Sequence, residues 1–149
     1  MPSASIKKEI PCSKENLIKM VLDIEKYPEF VPWCLNGKIH TKNEKNNKVE
    51  IIAELTIGKF FFNETYKSFV SYDKSNDSIN VSNIDGPLKY LENKWFFRQI
   101  GNLSEIDFHI DFELKNKILN VLMIKTFDLG LKKIANAFEK RAIQLFKET

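Results

Sequence analysis

The sequence predicts one α+β domain over residues 1–149, in which a curved antiparallel sheet of six to seven strands closes around a long C-terminal helix. A length of 149 residues is typical of a single domain and is enough to bury a sizeable core. Between residues 35 and 114, apolar and polar residues alternate as they do in strands buried on one face. After Asn116 the apolar residues recur with the helical period.

Two elements precede the main run of strands. Segment 3–10 alternates weakly and is predicted to be a strand that ends at Pro11. Ser13 is a suitable N-cap for a helix over 14–25. Pro28 disturbs the chain after this helix, because the residue before a proline avoids the helical region.

Five or six further strands are predicted between residues 35 and 114. Turn-forming residues separate them, and Gly58 predicts a break or bulge. The turns are expected at Asn46-Asn47, Asn76-Asp77, Asp85-Gly86-Pro87 and Gly101-Asn102. The clearest strand is 104–114, in which one face is apolar and the other is charged. Its apolar face consists of Ile106, Phe108, Ile110, Phe112 and Leu114.

The C-terminal helix is predicted over residues 117–147. Gly130 lies inside it at a cost of about 1 kcal/mol relative to Ala, so a bend or a close backbone contact is expected there. The aromatic residues on the presumed inner faces predict a large apolar space between sheet and helix, which is typical of a lipophilic ligand site. The apolar stripe of the helix is Phe127, Leu131, Ile134, Phe138, Ala142 and Leu145.

Hydropathy and charge exclude several classes of protein. No stretch reaches the roughly 18 apolar residues of a membrane-spanning helix, and the first residues lack the apolar run of a signal peptide. We therefore expect a cytoplasmic protein, with peripheral contact at the inner membrane of a bacterium left open. The net charge of +3 is too small to indicate nucleic-acid binding, but residues 115–149 carry eight basic and three acidic residues. This segment is either a solvated helix face or a contact for an anionic partner.

The sequence shows no catalytic or metal-binding set. His40 and His109 are its only histidines and are far apart, and no Gly-rich phosphate loop or nucleophile motif is present. Cys12 and Cys34 are expected to be buried or half-buried thiols without a disulfide framework. We expect no catalytic residues and no metal, and an enzyme such as a cyclase or hydrolase is the weakest of three hypotheses.

The most distinctive segment is Tyr27-Pro28-Glu29-Phe30-Val31-Pro32-Trp33-Cys34. Its two prolines and three aromatic residues predict a stiff apolar loop. Such a loop either packs into the core or has a role as a ligand gate or in touching a membrane.

With three other segments, this loop resembles the coenzyme Q-binding branch of the START-like, helix-grip superfamily, which also includes the ribosome-association toxins of bacteria. The polyketide cyclase-like proteins share that superfamily. The three others are Ala53-Glu54-Leu55-Thr56-Ile57-Gly58, Asp85-Gly86-Pro87-Leu88-Lys89-Tyr90-Leu91 leading to Trp95-Phe96-Phe97, and Ala137-Phe138-Glu139-Lys140-Arg141-Ala142. A departure is Leu88, which stands where the family usually has Phe.

The resemblance implies a helix-grip fold and non-enzymatic binding of ubiquinone or a similar isoprenoid lipid. The protein would then act as a carrier or chaperone that supports respiratory electron transport, with no catalytic cofactor. The alternative is a ribosome-association toxin that binds the large ribosomal subunit and blocks subunit joining. The oligomeric state stays open.

The candidate residues form two sets. Phe30, Val31 and Trp33 are expected at the mouth of a lipid or quinone site, and for each candidate plain core packing stays open. The deeper wall residues are Leu55, Leu88, Trp95, Phe97, Phe112, Phe127 and Leu131. The residues expected to contact an anionic surface are Lys132, Lys133, Lys140, Arg141 and Lys147.

Overall fold

The computed structural model describes residues 3–59 and 62–146, without the side chains of 59, 62, 119 and 122–128. The described residues form seven strands and two α-helices, with a 3-10 helix between the first helix and the second strand. Their bounds are β1 Ser3–Ile10, α1 Lys14–Leu22, the 3-10 helix Ile24–Glu29, β2 Cys34–Lys45, β3 Lys48–Lys59, β4 Phe62–Asp73, β5 Ser78–Asp85, β6 Leu88–Ile100, β7 Leu103–Leu114 and α2 Lys117–Phe146.

All seven strands form one antiparallel sheet in the order β1-β7-β6-β5-β4-β3-β2. Strands β2 to β7 follow one another through hairpins, and β1 returns to pair with β7. The sheet is curved and the long C-terminal helix packs against it. This confirms the predicted fold class, the strand at 3–10 and the single long helix after Asn116.

The inner face of the sheet is apolar because every second residue points toward the helices. The register places Trp95 opposite Phe108 and Leu91 opposite Phe112, so apolar side chains stack across neighbouring strands. The outer face carries the charged residues, among them Glu54 paired with His40 at 3.1 Å. The alternation of strand 104–114 thus has the two faces that its sequence predicts.

Two local predictions were wrong. The helix predicted over 14–25 ends at Leu22, and the chain continues as the 3-10 helix that contains Pro28. No bulge occurs at Gly58; the register shifts of this hairpin lie in β2, next to Cys34 and next to Ile39. A bulge needs only one extra residue on either strand, and glycine is not required for it.

Both thiols are free and buried, as expected. Cys12 lies in the main core, and its carbonyl oxygen accepts a hydrogen bond from the hydroxyl of Ser104 at 2.6 Å. Burial raises the pKa of the Cys12 thiol and of the Cys34 thiol. Both groups are therefore held as neutral thiols, which makes them poor nucleophiles.

Candidate functional site

The apolar inner face is divided into two clusters. The first cluster lies under α1 and the C-terminal half of α2, and it contains Trp95, Phe97, Phe108, Leu131 and Phe138 among its buried members. The second cluster lies toward the opposite end of β6 and β7. Its buried members are Leu91, Phe112 and Leu114, and Tyr66, Val81, Leu88 and Ile110 pack against it.

Polar residues lie between the buried members of the two clusters, and we call them the polar band, although Val81 and Ile110 pack against both clusters. Ser68 on β4 lies directly opposite Asn83 on β5, and Asn93 on β6 lies opposite Val81. The Asn93 side chain accepts a hydrogen bond from Trp95 Nε1 at 2.7 Å and donates one to the carbonyl of His109 at 2.9 Å. Asn83 bonds the backbone of Leu88 and Leu91. The two asparagine side chains therefore form hydrogen bonds that link β5, β6 and β7.

The first cluster is closely packed. Between it and α2 lies a space of about 30 Å³, lined by Trp95, Phe108, Leu131, Phe138 and their neighbours. This is about the volume of one water molecule. The large apolar space predicted from the aromatic content is not found at this end of the helix, because the rings fill it. Trp95 lies edge-on to Phe108 at 4.7 Å and to Phe138 at 5.6 Å between centroids.

The distinctive loop packs its first half onto α2. Tyr27, Phe30 and Phe138 form an edge-to-face triangle with centroids 5.2 to 5.9 Å apart. The Tyr27 hydroxyl donates a hydrogen bond to the carbonyl of Val21, and burial raises its pKa. Phe30 therefore serves as a packing contact that fixes the loop to the C-terminal half of α2.

Arg141 completes this junction. Its guanidinium donates a hydrogen bond to Glu29 at 2.7 Å and lies 5.1 Å from the Phe30 ring. The hydrogen bond from Arg141 holds the pKa of the Glu29 carboxyl below its usual range. The Arg141 side chain is only 20% exposed and its charge is paired with Glu29. Arg141 is therefore an internal contact, and its predicted place on the exposed basic surface was wrong.

The second half of the loop contacts α2 about two turns nearer its N-terminus. The Trp33 ring lies over Gly130, where an added Cβ would be 3.5 Å from two ring carbons. Trp33 has a φ of +66°, which bulky residues rarely adopt, and its carbonyl accepts a hydrogen bond from Gly58 at 2.9 Å. The close contact expected at Gly130 is thus a contact with Trp33.

The second cluster lies beside an open cleft of about 390 Å³. Leu114 belongs to both, and the other residues of the cleft come from the start of β4, the β5–β6 turn and the β7–α2 connection. They are Glu64, Thr65, Gly86, Pro87, Lys115 and Asn116. This cleft, called the mouth cleft below, has a volume within the range of small-molecule sites and a mixed polar and apolar lining.

The predicted wall residues therefore fall into different environments. Val31 and Leu55 pack at the margin of the first cluster, and Trp95, Phe97 and Leu131 are buried within it. Leu88 and Phe112 belong to the second cluster, beside the mouth cleft. The side chain of Phe127 lies outside the described residues. The structure thus brings the candidates onto one inner face but divides them between two clusters.

The basic residues of α2 also differ from one another. Lys132, Lys133 and Lys140 are exposed and make no ion pair within the part of the chain that the structure describes. Lys133 Nζ lies 6.0 Å from the centre of the Trp33 ring. Lys147 lies outside the described residues.

Sequence pattern does not mark several residues as members of the site. Tyr66, Leu91 and Leu114 belong to the second cluster, although their segments alternate like any other strand. Ser68 and Asn93 are buried polar residues of the band. A search for apolar positions passes over a serine or an asparagine on an inner face, and only the register brings them together.

The described residues contain no group of three or more His, Cys, Asp and Glu side chains that could hold a metal ion. One Ser–His–Asp chain is present on the outer face. Ser5 Oγ lies 2.7 Å from His109 Nδ1, and His109 Nε2 lies 2.9 Å from Asp111 Oδ2. None of the three lines the mouth cleft or the small space under α2.

Within residues 3–59 and 62–146, no helix is both long enough and apolar enough to cross a membrane.

A family model described as polyketide cyclase/dehydrase and lipid transport matches residues 10–139. Over 143 residues, the chain is 33% identical to the ribosome association toxin RatA of Rickettsia prowazekii, covering 94% of this chain and 95% of that protein. It is also 31% identical to the mitochondrial coenzyme Q-binding protein COQ10 of Dictyostelium discoideum, covering 93% of this chain and 68% of that protein.

Solved structures agree on the fold. An 18 kDa protein of Caulobacter crescentus superposes with a TM-score of 0.80 at 31% identity, covering 97% of this chain and 98% of that chain. The Zhui aromatase/cyclase of Streptomyces superposes with a TM-score of 0.79 at 11% identity, covering 95% and 93%. A START superfamily protein of Mycobacterium smegmatis has a TM-score of 0.78 at 20% identity, covering 96% and 98%. The last two likenesses concern the fold alone.

Proposed function

We propose that this chain, which belongs to the family described as polyketide cyclase/dehydrase and lipid transport, binds ubiquinone or a similar isoprenoid lipid without transforming it. It would act as a carrier or chaperone that supports respiratory electron transport. The relative named as a coenzyme Q-binding protein supports the ligand class, and this relative and the one named as a ribosome association toxin both carry names of binding proteins.

One observation carries the proposal, which is the second cluster beside the mouth cleft. Leu114 belongs to the cluster and also lines the cleft, together with Pro87 and with polar residues such as Glu64. A lipid with a polar end matches this mixed lining, because apolar area leaves water while polar atoms keep partners. The first cluster cannot take such a ligand in this arrangement, since its rings leave only about 30 Å³.

Titration with a short-chain ubiquinone tests the proposal, with Trp33→Ala as the informative variant. Trp33 joins the loop to α2 over Gly130, so its removal opens this contact without touching the triangle of Tyr27, Phe30 and Phe138. We expect the variant to fold and to retain less quinone after gel filtration than the wild type.

Ile52→Ala is the matched control, because Ile52 lies on the outer face of β3 between the inward-facing Ile51 and Ala53. It removes apolar surface away from the proposed site. Equal quinone retention by folded Trp33→Ala and wild-type protein would count against a ligand held behind this loop.

Peripheral contact with an anionic bilayer belongs to the same proposal. On the outer side of α2, the first half carries exposed apolar residues, of which Ile118 is 75% and Leu129 62% exposed. Further along the same side stand Lys132 and Lys133, each worth about 1 kcal/mol near an anionic surface. Flotation with vesicles that contain anionic lipid, compared with neutral vesicles, measures this contact.

The second candidate function is ribosome association, which relatives named as RatA toxins support. The observation that favours it here is the exposed set of Lys132, Lys133 and Lys140, which no acidic side chain of the described residues neutralises. Binding to RNA through these lysines would weaken steeply with salt. Co-sedimentation with the large subunit, absent or insensitive to salt, would contradict this alternative.

A further inference from the structure

Glu64 interrupts the apolar pattern on the inner face of the sheet. On β4, Tyr66, Ser68 and Val70 lie on the inner face, and strand alternation puts Glu64 on the same face. Among the described side chains of β3 to β7, every other acidic residue lies at an outer-face position. Acidic residues rarely occupy positions that face a core unless they have a partner.

The Glu64 side chain lines the mouth cleft. Its neighbour on β3 is Ile57, and Pro87 and Leu114 supply the apolar part of the cleft lining. Glu64 is half-buried, so its carboxylate lies beside apolar groups and still meets the solvent in the cleft. A molecule that enters the cleft therefore displaces water from this carboxylate.

Two of the four polar side chains of the cleft already have partners within the protein. The hydroxyl of Thr65 shares a hydrogen bond of 2.8 Å with that of Thr56, and the Asn116 side chain accepts one of 3.0 Å from the backbone of α2. Glu64 and Lys115 form no ion pair, with each other or with another side chain of residues 3–59 and 62–146. The cleft thus offers one free acceptor group and one free donor group.

We propose that the polar head of the lipid lies in the mouth cleft and that Glu64 selects a head that donates a hydrogen bond, so that a hydroquinone binds more tightly than the corresponding quinone. A hydroquinone hydroxyl donates to the carboxylate, whereas the oxygens of a quinone only accept. Lys115 can donate to an oxygen of either form. This inference rests on the proposed function, because it concerns the same ligand and the same cleft.

The size of the preference follows from what each form does to Glu64. The oxidised head removes water from the carboxylate and returns no hydrogen bond, and the reduced head replaces the water with a hydroxyl donor. The net value of one hydrogen bond corresponds to about a three- to tenfold change in an equilibrium constant. This range applies here because the cleft is open to water.

The experiment compares decylubiquinol and decylubiquinone, which have the same tail and differ only by two hydrogen atoms. Their dissociation constants are measured under nitrogen by ultrafiltration and quantification of the extracted ligand. We expect the wild type to bind decylubiquinol about three- to tenfold more tightly. Glu64→Gln should bring the two constants to within about twofold of each other, because its amide both accepts and donates.

Glu50→Gln is the matched control, because Glu50 is an exposed carboxylate on the outer face of β3, opposite Ser71. It removes the same charge and should leave the preference unchanged. Lys115→Met tests the donor side of the cleft. It should weaken both forms by a similar factor and leave their ratio as in the wild type. Circular dichroism checks that all three variants fold.

The midpoint potential of the bound quinone gives an independent measurement. Tighter binding of the reduced form by three- to tenfold raises the two-electron potential by about 14–30 mV. A redox titration of decylubiquinone bound to the wild type should show this rise relative to the free quinone, and Glu64→Gln should abolish most of it.

Several outcomes overturn the inference and leave the proposed function standing. They are equal binding of the two forms by the wild type, tighter binding of the quinone, and an unchanged preference in Glu64→Gln. Loss of the preference in Glu50→Gln also overturns it, since the effect would then come from net charge and not from the cleft. If the wild type binds neither form, the proposed function fails together with the inference.

Discussion

Substitution of Gly130 gives a sharp test of how the distinctive loop meets α2. An added Cβ would lie 3.5 Å from two carbons of the Trp33 ring, which is ordinary van der Waals contact. Gly130→Ala therefore fits without displacing the ring. It also removes the penalty of glycine inside a helix, which is about 1 kcal/mol. We expect a gain in stability of about 1 kcal/mol, equivalent to about 2–4 °C in the unfolding midpoint for a chain of this size.

A larger side chain at the same position should have the opposite effect. In Gly130→Leu the next carbon extends toward the Trp33 ring, and overpacking of this kind costs about 1–3 kcal/mol. This cost outweighs the stability gained by removing glycine from the helix. We therefore expect Gly130→Leu to be less stable than Gly130→Ala by about 1–3 kcal/mol. Chemical denaturation followed by circular dichroism measures both variants.

The Trp33→Ala background supplies the control. Without the Trp33 ring, Gly130→Leu should cost much less unfolding free energy than it does in the wild type. The difference between its costs in the two backgrounds is the coupling energy between positions 33 and 130. If Gly130→Ala destabilises the protein by 1 kcal/mol or more, or if Gly130→Leu is equally costly without Trp33, the contact described here is refuted.

Three further predictions concern stability. Arg141→Met should lower the unfolding midpoint, and its difference from the wild type should shrink in acid. Because the pKa of Glu29 is lowered, the ion pair contributes fully above the usual carboxyl pKa of about 4.3 and is lost as the pH falls through the lowered value. An unchanged difference at pH 3 would contradict the pairing. Alkali should destabilise the protein above about pH 10, because Tyr66 and Tyr27 ionise in the unfolded chain before they do so in the folded one. Tyr66→Phe should make that dependence less steep in a series of denaturant titrations, and an unchanged slope would contradict the burial of its hydroxyl. Gly86→Ala should cost about 1–3 kcal/mol, since φ is +129° and the new Cβ would lie 2.6 Å from Tyr66 Cβ, whereas Gly101→Ala meets no atom within 4 Å and should cost less.

Much of the fold follows from local sequence pattern. Strand 104–114 shows a strict alternation, and the structure has an inner face of Ile106, Phe108 and their neighbours. The long helix also follows from its apolar stripe, of which Leu131, Phe138 and Ala142 are buried. The end of the stripe was predicted wrongly, because Leu145 is 50% exposed. Each of these signals is contained in a few neighbouring residues, so burial on one face is enough to define it.

The division of the inner face into two clusters does not follow from such patterns. Ser68, Asn83 and Asn93 are far apart in the chain, and only the register of β4, β5 and β6 brings them into one band. The space expected between sheet and helix depends likewise on how rings interlock. Trp95 and Phe138 fill it by edge-to-face packing, which composition alone does not specify.

The partner of Arg141 could not be predicted from the sequence either. Its place in a basic helix predicts an exposed contact for an anionic partner. In the structure its guanidinium binds Glu29, which is 112 residues away in sequence, and lies against Phe30. A charge count along one helix contains no information on which partner a distant loop presents to it.

Binding of an isoprenoid lipid by the folded protein can be measured directly. The protein is purified without detergent from a quinone-producing host, and a solvent extract of it is analysed by mass spectrometry. We expect an isoprenoid quinone at close to one molecule per chain, and a smaller amount in Trp33→Ala. No isoprenoid lipid in the extract, together with salt-sensitive co-sedimentation with the large ribosomal subunit, would contradict it and favour the ribosomal alternative.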